Sequence, residues 1–211
     1  MRNRPLEPEK IKRLYKSRQD AIRTRLSEFA AKQPSDYFYE LLYCLLTPQS
    51  SAAHAEQVVS LLYSAGFHDT DVHPEPFLRR KECYIRFHKT KSRHLLQMKK
   101  QFPIVAGKLS EPASAFELRE WLVINVLGLG YKEASHFLRN IGRNEGLAIL
   151  DRHILRNLHR LGVIREVPNS ISRKQYLEIE RRFSKFAVSL GIALDELDLV
   201  FWSLETGEIR K

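Results

Sequence analysis

The sequence from residue 121 to residue 138 is Trp121-Leu-Val-Ile-Asn-Val-Leu-Gly-Leu-Gly-Tyr-Lys-Glu-Ala-Ser-His-Phe-Leu138. Two glycines, Gly128 and Gly130, separate an apolar run from an amphipathic run, so the backbone can reverse tightly between two helices. Such a helix-hairpin-helix leaves backbone N–H groups unpaired at the start of its second helix, where the helix dipole also favours negative charge. The motif therefore predicts a phosphate-binding site that reads no base.

The composition is that of a basic chain with enough apolar residues for a core. Over 211 residues, 35 Lys and Arg against 25 Asp and Glu give a formal net charge of +10. This balance is typical of a protein that meets a polyanion, although a basic protein without such a partner is the simpler alternative. Two cysteines, Cys44 and Cys83, are too few for a four-cysteine zinc or iron–sulfur site, so we expect no metal centre.

No targeting or membrane segment is evident in the sequence. It has no run of eighteen apolar residues, and residues 1–5 lack the apolar core of a secretory signal. We therefore expect a soluble cytoplasmic protein, associated with the nucleoid if the source is prokaryotic, with no membrane partner.

Apolar spacing and capping signals predict an all-α fold. Apolar residues recur at helical spacing, and Ser114-Ala-Phe-Glu117 and Ser172-Arg-Lys-Gln175 are capping boxes. Alternating apolar and polar residues, the signature of a strand, are not convincing anywhere. The predicted helices cover residues 9–31, 37–46, 51–65, a short segment from 77, a segment ending at 102 before Pro103, the first hairpin helix after Ser114, 131–141, a segment from Asp151 to near Gly162, 172–190 and 194–204.

Two residues stand out as candidates for chemistry. Lys132 follows the second glycine of the hairpin by two residues, and Asp151 follows Lys132 by nineteen. A lysine beside a bound DNA backbone with a carboxylate nearby is typical of a nucleophile and its charged assistant. The simpler interpretation is that Lys132 contacts a phosphate or solvent, and that Asp151 only caps a helix.

Four further motifs, together with the hairpin, carry a resemblance to a known family. They are Cys44-Leu-Leu-Thr-Pro-Gln49, Ile85-Arg-Phe-His88, Asp198-Leu-Val-Phe-Trp202 and Glu205-Thr-Gly-Glu-Ile-Arg-Lys211. Over nearly the whole chain after the first helix, the sequence resembles the helix-hairpin-helix DNA glycosylase superfamily. Within it, the details resemble the second, archaeal-type class of 8-oxoguanine DNA glycosylase/lyase.

The resemblance implies a single glycosylase unit over residues 1–211 with two helical lobes and a base-binding cleft between them. The approximate lobes are residues 1–30 plus 160–211 and residues 31–159. The implied activity is that of a bifunctional DNA N-glycosylase and abasic-site lyase. It would flip 8-oxoguanine out of double-stranded DNA, excise it and cleave the strand by β-elimination through a lysine Schiff base. The enzyme would act as a monomer.

The resemblance also assigns residues. Lys132 becomes the amine nucleophile and Asp151 the essential carboxylate. Phe87, Trp202 and Lys211 match positions of the base pocket, and the residues expected to contact DNA are Gln49, Gly128, Gly130, Tyr131 and His153. No cofactor is required, but the family's hairpin holds a monovalent cation on backbone carbonyls that match Ile124, Val126 and Leu129. A basic run is expected to contact phosphates and consists of Arg79, Arg80, Lys89, Lys91 and Arg93.

Two alternatives stay open at this stage. The chain could be a glycosylase of the same superfamily for another lesion, such as an oxidised pyrimidine. The iron–sulfur endonucleases that remove such lesions carry a cysteine cluster after the last helix, which this sequence lacks. The chain could also be a noncatalytic hairpin protein that only holds DNA.

Overall fold

The computed structural model describes residues 6–209, except for the side chain of Thr206, and these residues form ten α-helices, two short 3₁₀ turns and no strand. The predicted all-α fold is therefore confirmed. The 3₁₀ turns are Pro34–Asp36 and Lys81–Cys83. The helices are α1 (Pro8–Ala30), α2 (Tyr37–Leu46), α3 (Ala52–Ser64), α4 (Glu75–Leu78), α5 (His88–Ser110), α6 (Ala115–Asn125), α7 (Tyr131–Asn140), α8 (Arg152–Arg160), α9 (Arg173–Leu190) and α10 (Leu194–Thr206).

The chain divides into two compact units. Unit 1 consists of the chain up to Ala31 and from Leu138 onward, and unit 2 is the continuous segment Lys32–Phe137. The sequence-based lobes placed the second boundary at 159/160, which would have put α8 with the hairpin. The structure assigns α8 to unit 1 because its buried residues, Ile154, Leu155 and Leu158, belong to a helix that packs on α10.

Helix α2 is the centre of unit 2. Eight of its ten residues are buried, so it is apolar on nearly every side, as a helix surrounded by others must be. It packs against α3 and α5. Its N-terminus has no side-chain cap, because the Asp36 carboxylate instead accepts a hydrogen bond from the backbone N–H of Gln33 at 3.0 Å.

Helix α5 is longer than predicted. The sequence indicated an end at Phe102 because a proline removes a helical N–H donor and crowds the preceding turn. The helix instead continues through Pro103 to Ser110. Its buried stripe runs on beyond the proline, and Pro103 itself is exposed. Burial of that stripe, which consists of Leu95, Met98, Phe102, Val105 and Leu109, offsets the local cost of the proline.

Unit 1 is built around the first and last helices. Helix α1 packs against α10, and the fully buried Ile11 and Ile22 lie on its inner face. Three hydrogen bonds join the described parts of these helices: the Tyr15 hydroxyl and the Arg23 guanidinium donate to Glu196 at 2.8 and 3.2 Å, and the Arg18 guanidinium donates to the Ser203 carbonyl at 2.9 Å. No helix between residues 6 and 209 is long and apolar enough to cross a membrane.

Candidate active site

The hairpin of unit 2 is formed by α6, a tight turn and α7. The Ser114 hydroxyl accepts from the Glu117 N–H at 3.2 Å, and the Glu117 carboxylate accepts from the Ser114 N–H at 2.8 Å, so the predicted capping box starts α6. In the turn, Gly128 has φ +87°, and a Cβ there would lie 2.3 Å from Nδ1 of His94. Glycine is thus required at position 128 both by the backbone conformation and by the neighbouring imidazole.

Lys132 lies in the first turn of α7, where the helix N–H groups have no acceptor within the helix. Its side chain is 23% exposed, and its Nζ lies 3.7 Å from Oε1 of Glu133. A Cβ on Gly130 would lie 3.0 Å from the other Glu133 oxygen, so the second glycine leaves room for this carboxylate. The Lys132 amine is therefore partly buried but still accessible. It lies beside the backbone N–H groups that begin α7, a kind of helix start that can bind phosphate.

Tyr131, the residue directly before Lys132, is held by two contacts. Its hydroxyl donates to Glu120 at 2.7 Å, and the Arg119 guanidinium lies 5.3 Å from the centre of its ring. These contacts fix the direction in which α7 begins. The predicted DNA contact of Tyr131 stays a prediction.

Asp151 is the N-cap of α8 in unit 1. Its Oδ1 accepts a hydrogen bond from the backbone N–H of Ile154 at 2.8 Å, and the side chain is partly buried. Asp151 therefore does cap a helix, as the simpler interpretation states. A single carboxylate has two oxygens, so capping leaves the second one available for chemistry.

A buried ion pair near Asp151 was not anticipated. Arg139 and Asp198 are nearly or fully buried and hydrogen-bonded to each other, and the Arg139 guanidinium also lies 5.2 Å from the centre of the Phe29 ring. Burial raises the pKa of Asp198, while Arg139 lowers it and Asp151 raises it further. The available signal was a carboxylate within the apolar run Leu197–Phe201.

Trp202 and His153 lie together in unit 1. Their ring centres are 5.3 Å apart at an interplanar angle of 47°, and Trp202 is partly exposed. The His153 Nδ1 lies 3.8 Å from Glu205, which also lies 3.7 Å from Arg160. The structure thus brings two of the predicted site residues into contact. Lys211 lies outside the described residues.

Gln49 and Phe87, both in unit 2, share an uncommon backbone conformation. Gln49 has φ +55° and Phe87 has φ +59°, in the left-handed region that non-glycine residues rarely adopt. Both side chains are exposed, and the Phe87 ring, 51% exposed, lies 5.2 Å from the Arg86 guanidinium. Gln49 does not cap α3, whose N-cap is Ser51. An exposed aromatic ring held in a strained turn fits a stacking surface.

The predicted basic run is only partly a surface feature. Arg79, Arg80, Lys89 and Arg93 are exposed. Lys91 is only 6% exposed, and its ammonium group donates to protein oxygens, so its prediction as a phosphate contact was wrong. It occupies the stripe that continues with Leu95, Met98 and Phe102, and this spacing was the signal for its burial.

Comparisons with known proteins agree with these features. The sequence model of the family described as 8-oxoguanine DNA glycosylase matches residues 22–192. An 8-oxoguanine DNA glycosylase/AP lyase of Fusobacterium nucleatum is 37% identical over an alignment 216 residues long. This alignment covers 95% of this chain and 96% of the relative. The protein of the same description from Methanocaldococcus jannaschii is 35% identical over 206 residues, 96% of this chain and 98% of the relative.

Solved structures are similar over the same length. The 8-oxoguanine glycosylase/lyase of M. jannaschii, in complex with a 15mer DNA containing 8-oxoguanine, aligns with a TM-score of 0.86 and 34% identity, over 97% of this chain and 99% of that one. The 8-oxoguanine DNA glycosylase of Thermotoga maritima aligns with a TM-score of 0.85 and 30% identity, over 97% and 98% of the two chains. The chain therefore belongs to the family of 8-oxoguanine DNA glycosylase/AP lyases.

Proposed function

We propose that this chain excises 8-oxoguanine from double-stranded DNA and then cleaves the strand, with Lys132 as the nucleophile of both steps. The observation that carries the assignment is the place of Lys132, a partly sheltered amine in the first turn of α7, directly after the glycine turn. The M. jannaschii relative, solved with 8-oxoguanine DNA, supports the substrate.

The chemistry needs one amine. The neutral Lys132 amine attacks C1′ of the damaged nucleotide, the bond from C1′ to the base breaks, and the base leaves with the bonding electrons and takes up a proton. Opening of the sugar ring gives a protonated Schiff base between C1′ and Nζ. A base then takes a proton from C2′, a C2′=C3′ double bond forms, and the 3′ phosphate leaves with the electrons of the C3′–O bond as the 5′-phosphate end of the downstream strand. Hydrolysis of the Schiff base releases the unsaturated sugar aldehyde and returns the lysine.

Asp151 is proposed to stabilise the positive charge that develops on the sugar as the base leaves. A carboxylate in a fixed position performs this role without reorganisation. The hydrogen bond from the Ile154 N–H fixes one oxygen of Asp151, and this contact orients the carboxylate.

The remaining predicted residues are proposed to bind DNA. Gly128, Gly130 and Tyr131 begin a helix whose N–H groups would hold a phosphate, and Gln49 and His153 would contact the strand. The target base must leave the stack before it can react, and Phe87 and Trp202 would then stack on it. Lys211 is proposed to recognise the edge of the base.

The backbone of the hairpin suits a monovalent cation. We propose the carbonyls of Ile124, Val126 and Leu129 as its ligands, because carbonyl oxygens are the donors that replace the hydration shell of such ions. These residues belong to a shallow depression, lined by Gln97 and residues 123–130. Since the proposed nucleophile and carboxylate belong to one chain, we also propose that the protein acts as a monomer.

Substitution of the nucleophile tests the proposal. We expect Lys132→Gln to abolish both 8-oxoguanine release and strand nicking while duplex binding is largely retained, because affinity comes mainly from phosphate contacts. The control is Lys100→Gln, an exposed lysine on α5. Borohydride trapping on abasic-site DNA, which reduces the Schiff base to a stable cross-link, should capture the wild type and the control but not Lys132→Gln.

Each alternative has its own outcome in this experiment. Trapping of Lys132→Gln at the wild-type level would contradict the assignment of the nucleophile. The absence of trapping in the wild type would indicate a noncatalytic DNA-binding protein. A panel of duplexes, each with one lesion, tests the substrate: faster release of an oxidised pyrimidine than of 8-oxoguanine would indicate the glycosylase for another lesion.

A further inference from the structure

The buried lysine of unit 2 uses all three of its donors on one loop. The Nζ of Lys91 donates to the carbonyl oxygens of Leu46 and Pro48, each at 2.6 Å, and to the hydroxyl of Ser50 at 3.2 Å. These residues belong to the segment 46–50, which runs from the last residue of α2 toward α3 and which we call the 46–50 loop. Since an ammonium group has three N–H donors, Lys91 is fully used within the protein.

Ser50 connects this loop to a second one. Its hydroxyl also accepts a hydrogen bond from the backbone N–H of Arg86 at 3.0 Å. Arg86 precedes Phe87, whose carbonyl accepts from the backbone N–H of Lys91 at 3.0 Å. The Lys91 side chain therefore contacts the 46–50 loop directly and the turn that leads into α5 through Ser50, while its backbone N–H starts the hydrogen bonding of α5.

Each of these two turns contains a strained residue. Gln49 and Phe87 are the non-glycine residues with positive φ between residues 6 and 209. A non-glycine residue in this conformation is energetically unfavourable and persists only where the surrounding structure holds it. The ammonium group of Lys91 contacts Pro48 and Ser50, the two neighbours of Gln49, and is linked to the turn of Phe87 through Ser50, so these contacts supply that constraint.

We propose that Lys91 is a positioning residue that holds Gln49 and Phe87 in their strained conformations, Gln49 beside the DNA strand and Phe87 where it stacks on the damaged base. This inference rests on the proposed function, in which both residues contact DNA. Lys91 itself touches neither substrate nor the reacting atoms, since its donors are occupied by the loop.

The charge of Lys91 adds a pH dependence to this role. Burial lowers the pKa of Lys91 to about 8, Lys132 lowers it and Glu133 raises it. Lys132 and Glu133 on α7 act on this charge, and His94 on α5 is electrostatically coupled to it, whereas the groups that Lys91 contacts on the 46–50 loop are uncharged. Above a pH of about 8 the amine has two N–H donors for three acceptors, and the loop loses one hydrogen bond.

Two activities of the enzyme should respond differently. Excision of 8-oxoguanine needs the base to be recognised, whereas nicking at a preformed abasic site has no base to recognise. Both need a neutral Lys132, so this requirement cancels in the ratio of the two rates. A change in the ratio therefore reports base recognition rather than the nucleophile or the folded fraction.

The test compares Lys91→Met and Ser50→Ala with Lys100→Met, an exposed lysine on the same helix. Single-turnover rates are measured for 8-oxoguanine excision and for nicking at an abasic site. We expect Lys91→Met to slow excision on the order of tenfold to a hundredfold, as for a misplaced binding group, with little change in nicking. Ser50→Ala should shift the ratio less, and the double variant should show less than the sum of both effects.

The pH profile gives a second readout. In the wild type, the ratio of excision to nicking should fall as the pH rises through about 8. In Lys91→Met the ratio should be flat across this range, and in Lys100→Met it should follow the wild type. A profile in Lys91→Met that matches the wild type would contradict the assignment.

Other outcomes would overturn the inference. Equal losses of excision and nicking in folded Lys91→Met, checked by thermal unfolding, would indicate a purely structural lysine. If this variant does not fold, Ser50→Ala decides the question: an unchanged ratio there counts against the inference. If the wild type nicks abasic DNA but releases no 8-oxoguanine, the proposed substrate fails. Lys91 is then judged by a crystal structure of Lys91→Met, in which unchanged φ at Gln49 and Phe87 would refute its positioning role.

Discussion

Asp151 combines a structural and a proposed chemical role in one side chain. Its Oδ1 caps α8 through the Ile154 N–H, and its negative charge would stabilise the cationic sugar. Asparagine retains an oxygen that can cap a helix but carries no charge, whereas alanine has neither. The two substitutions therefore separate the two roles.

We expect Asp151→Asn to slow base release by about 100-fold, in the range of electrostatic catalytic contributions, with little change in the free energy of unfolding. Asp151→Ala should show the same loss of rate and also lose about 1 kcal/mol of stability, because the cap is gone. Single-turnover kinetics and urea unfolding measure the two effects. Wild-type kinetics in Asp151→Asn would show that Asp151 is only a cap.

Individual residues differ in how far the sequence could predict them. Lys132 and Asp151 were selected from their spacing and a family resemblance, and their catalytic roles stay predictions. The environments of Lys91 and Asp198 were not predicted, because their partners lie far away in the chain. Lys91 contacts a carbonyl 45 residues away, and Asp198 contacts an arginine 59 residues away. Local patterns do not report such contacts.

At the scale of elements, the hairpin depends on one glycine. A side chain at position 128 would collide with the His94 ring and would also need an unfavourable φ. The imidazole is itself partly buried, which lowers its pKa, as do the nearby Arg93 and Lys91. The hairpin turn packs closely against α5, because Gly128 lies directly against the His94 ring.

We expect Gly128→Ala to lower the free energy of unfolding by more than about 1 kcal/mol and to weaken duplex binding, because the N–H groups at the start of α7 would shift. The control is Gly107→Ala in α5, where a Cβ has no atom within 4 Å. That change should stabilise the protein by about 0.5–1 kcal/mol, as alanine does in a helix interior. Equal effects of the two substitutions would contradict this account of the hairpin.

The starts of helices were better predicted than their interiors. The capping boxes at Ser114 and Ser172 are present as expected, because a cap depends on residues three positions apart. The break expected at Pro103 is absent, because a continuous buried stripe on α5 outweighs one missing donor. Tertiary packing decides such cases, and it is not visible in a local window of sequence.

For the whole molecule, the family, the all-α class and the enzyme activity predicted from the sequence are confirmed by the comparisons and the structure. The predicted boundary at 159/160 differs from the observed one after Phe137, because α8 packs on α10 within unit 1. Composition carried no sign of this division. The sequence has no linker, and α7 continues across the boundary.

The stability of unit 1 should depend on its buried ion pair. We expect Asp198→Asn to lower the free energy of unfolding by about 3–5 kcal/mol, because it leaves the buried Arg139 charge without its counter-ion. Asp20→Asn, at an exposed position on α1, should change stability little. Urea unfolding measures both. A loss below about 1 kcal/mol in Asp198→Asn would show that Arg139 finds another partner.

The order in which the chain is synthesised has a consequence for unit 1. Unit 2 is one continuous segment, so its helices leave the ribosome one directly after another. It can therefore fold while the rest of the chain is still being synthesised. Helix α1 emerges before unit 2, yet it packs on α10, and the bond from Tyr15 to Glu196 spans 181 residues. The apolar face of α1 must therefore wait, exposed to water or to chaperones, until the last helix of its unit has been made.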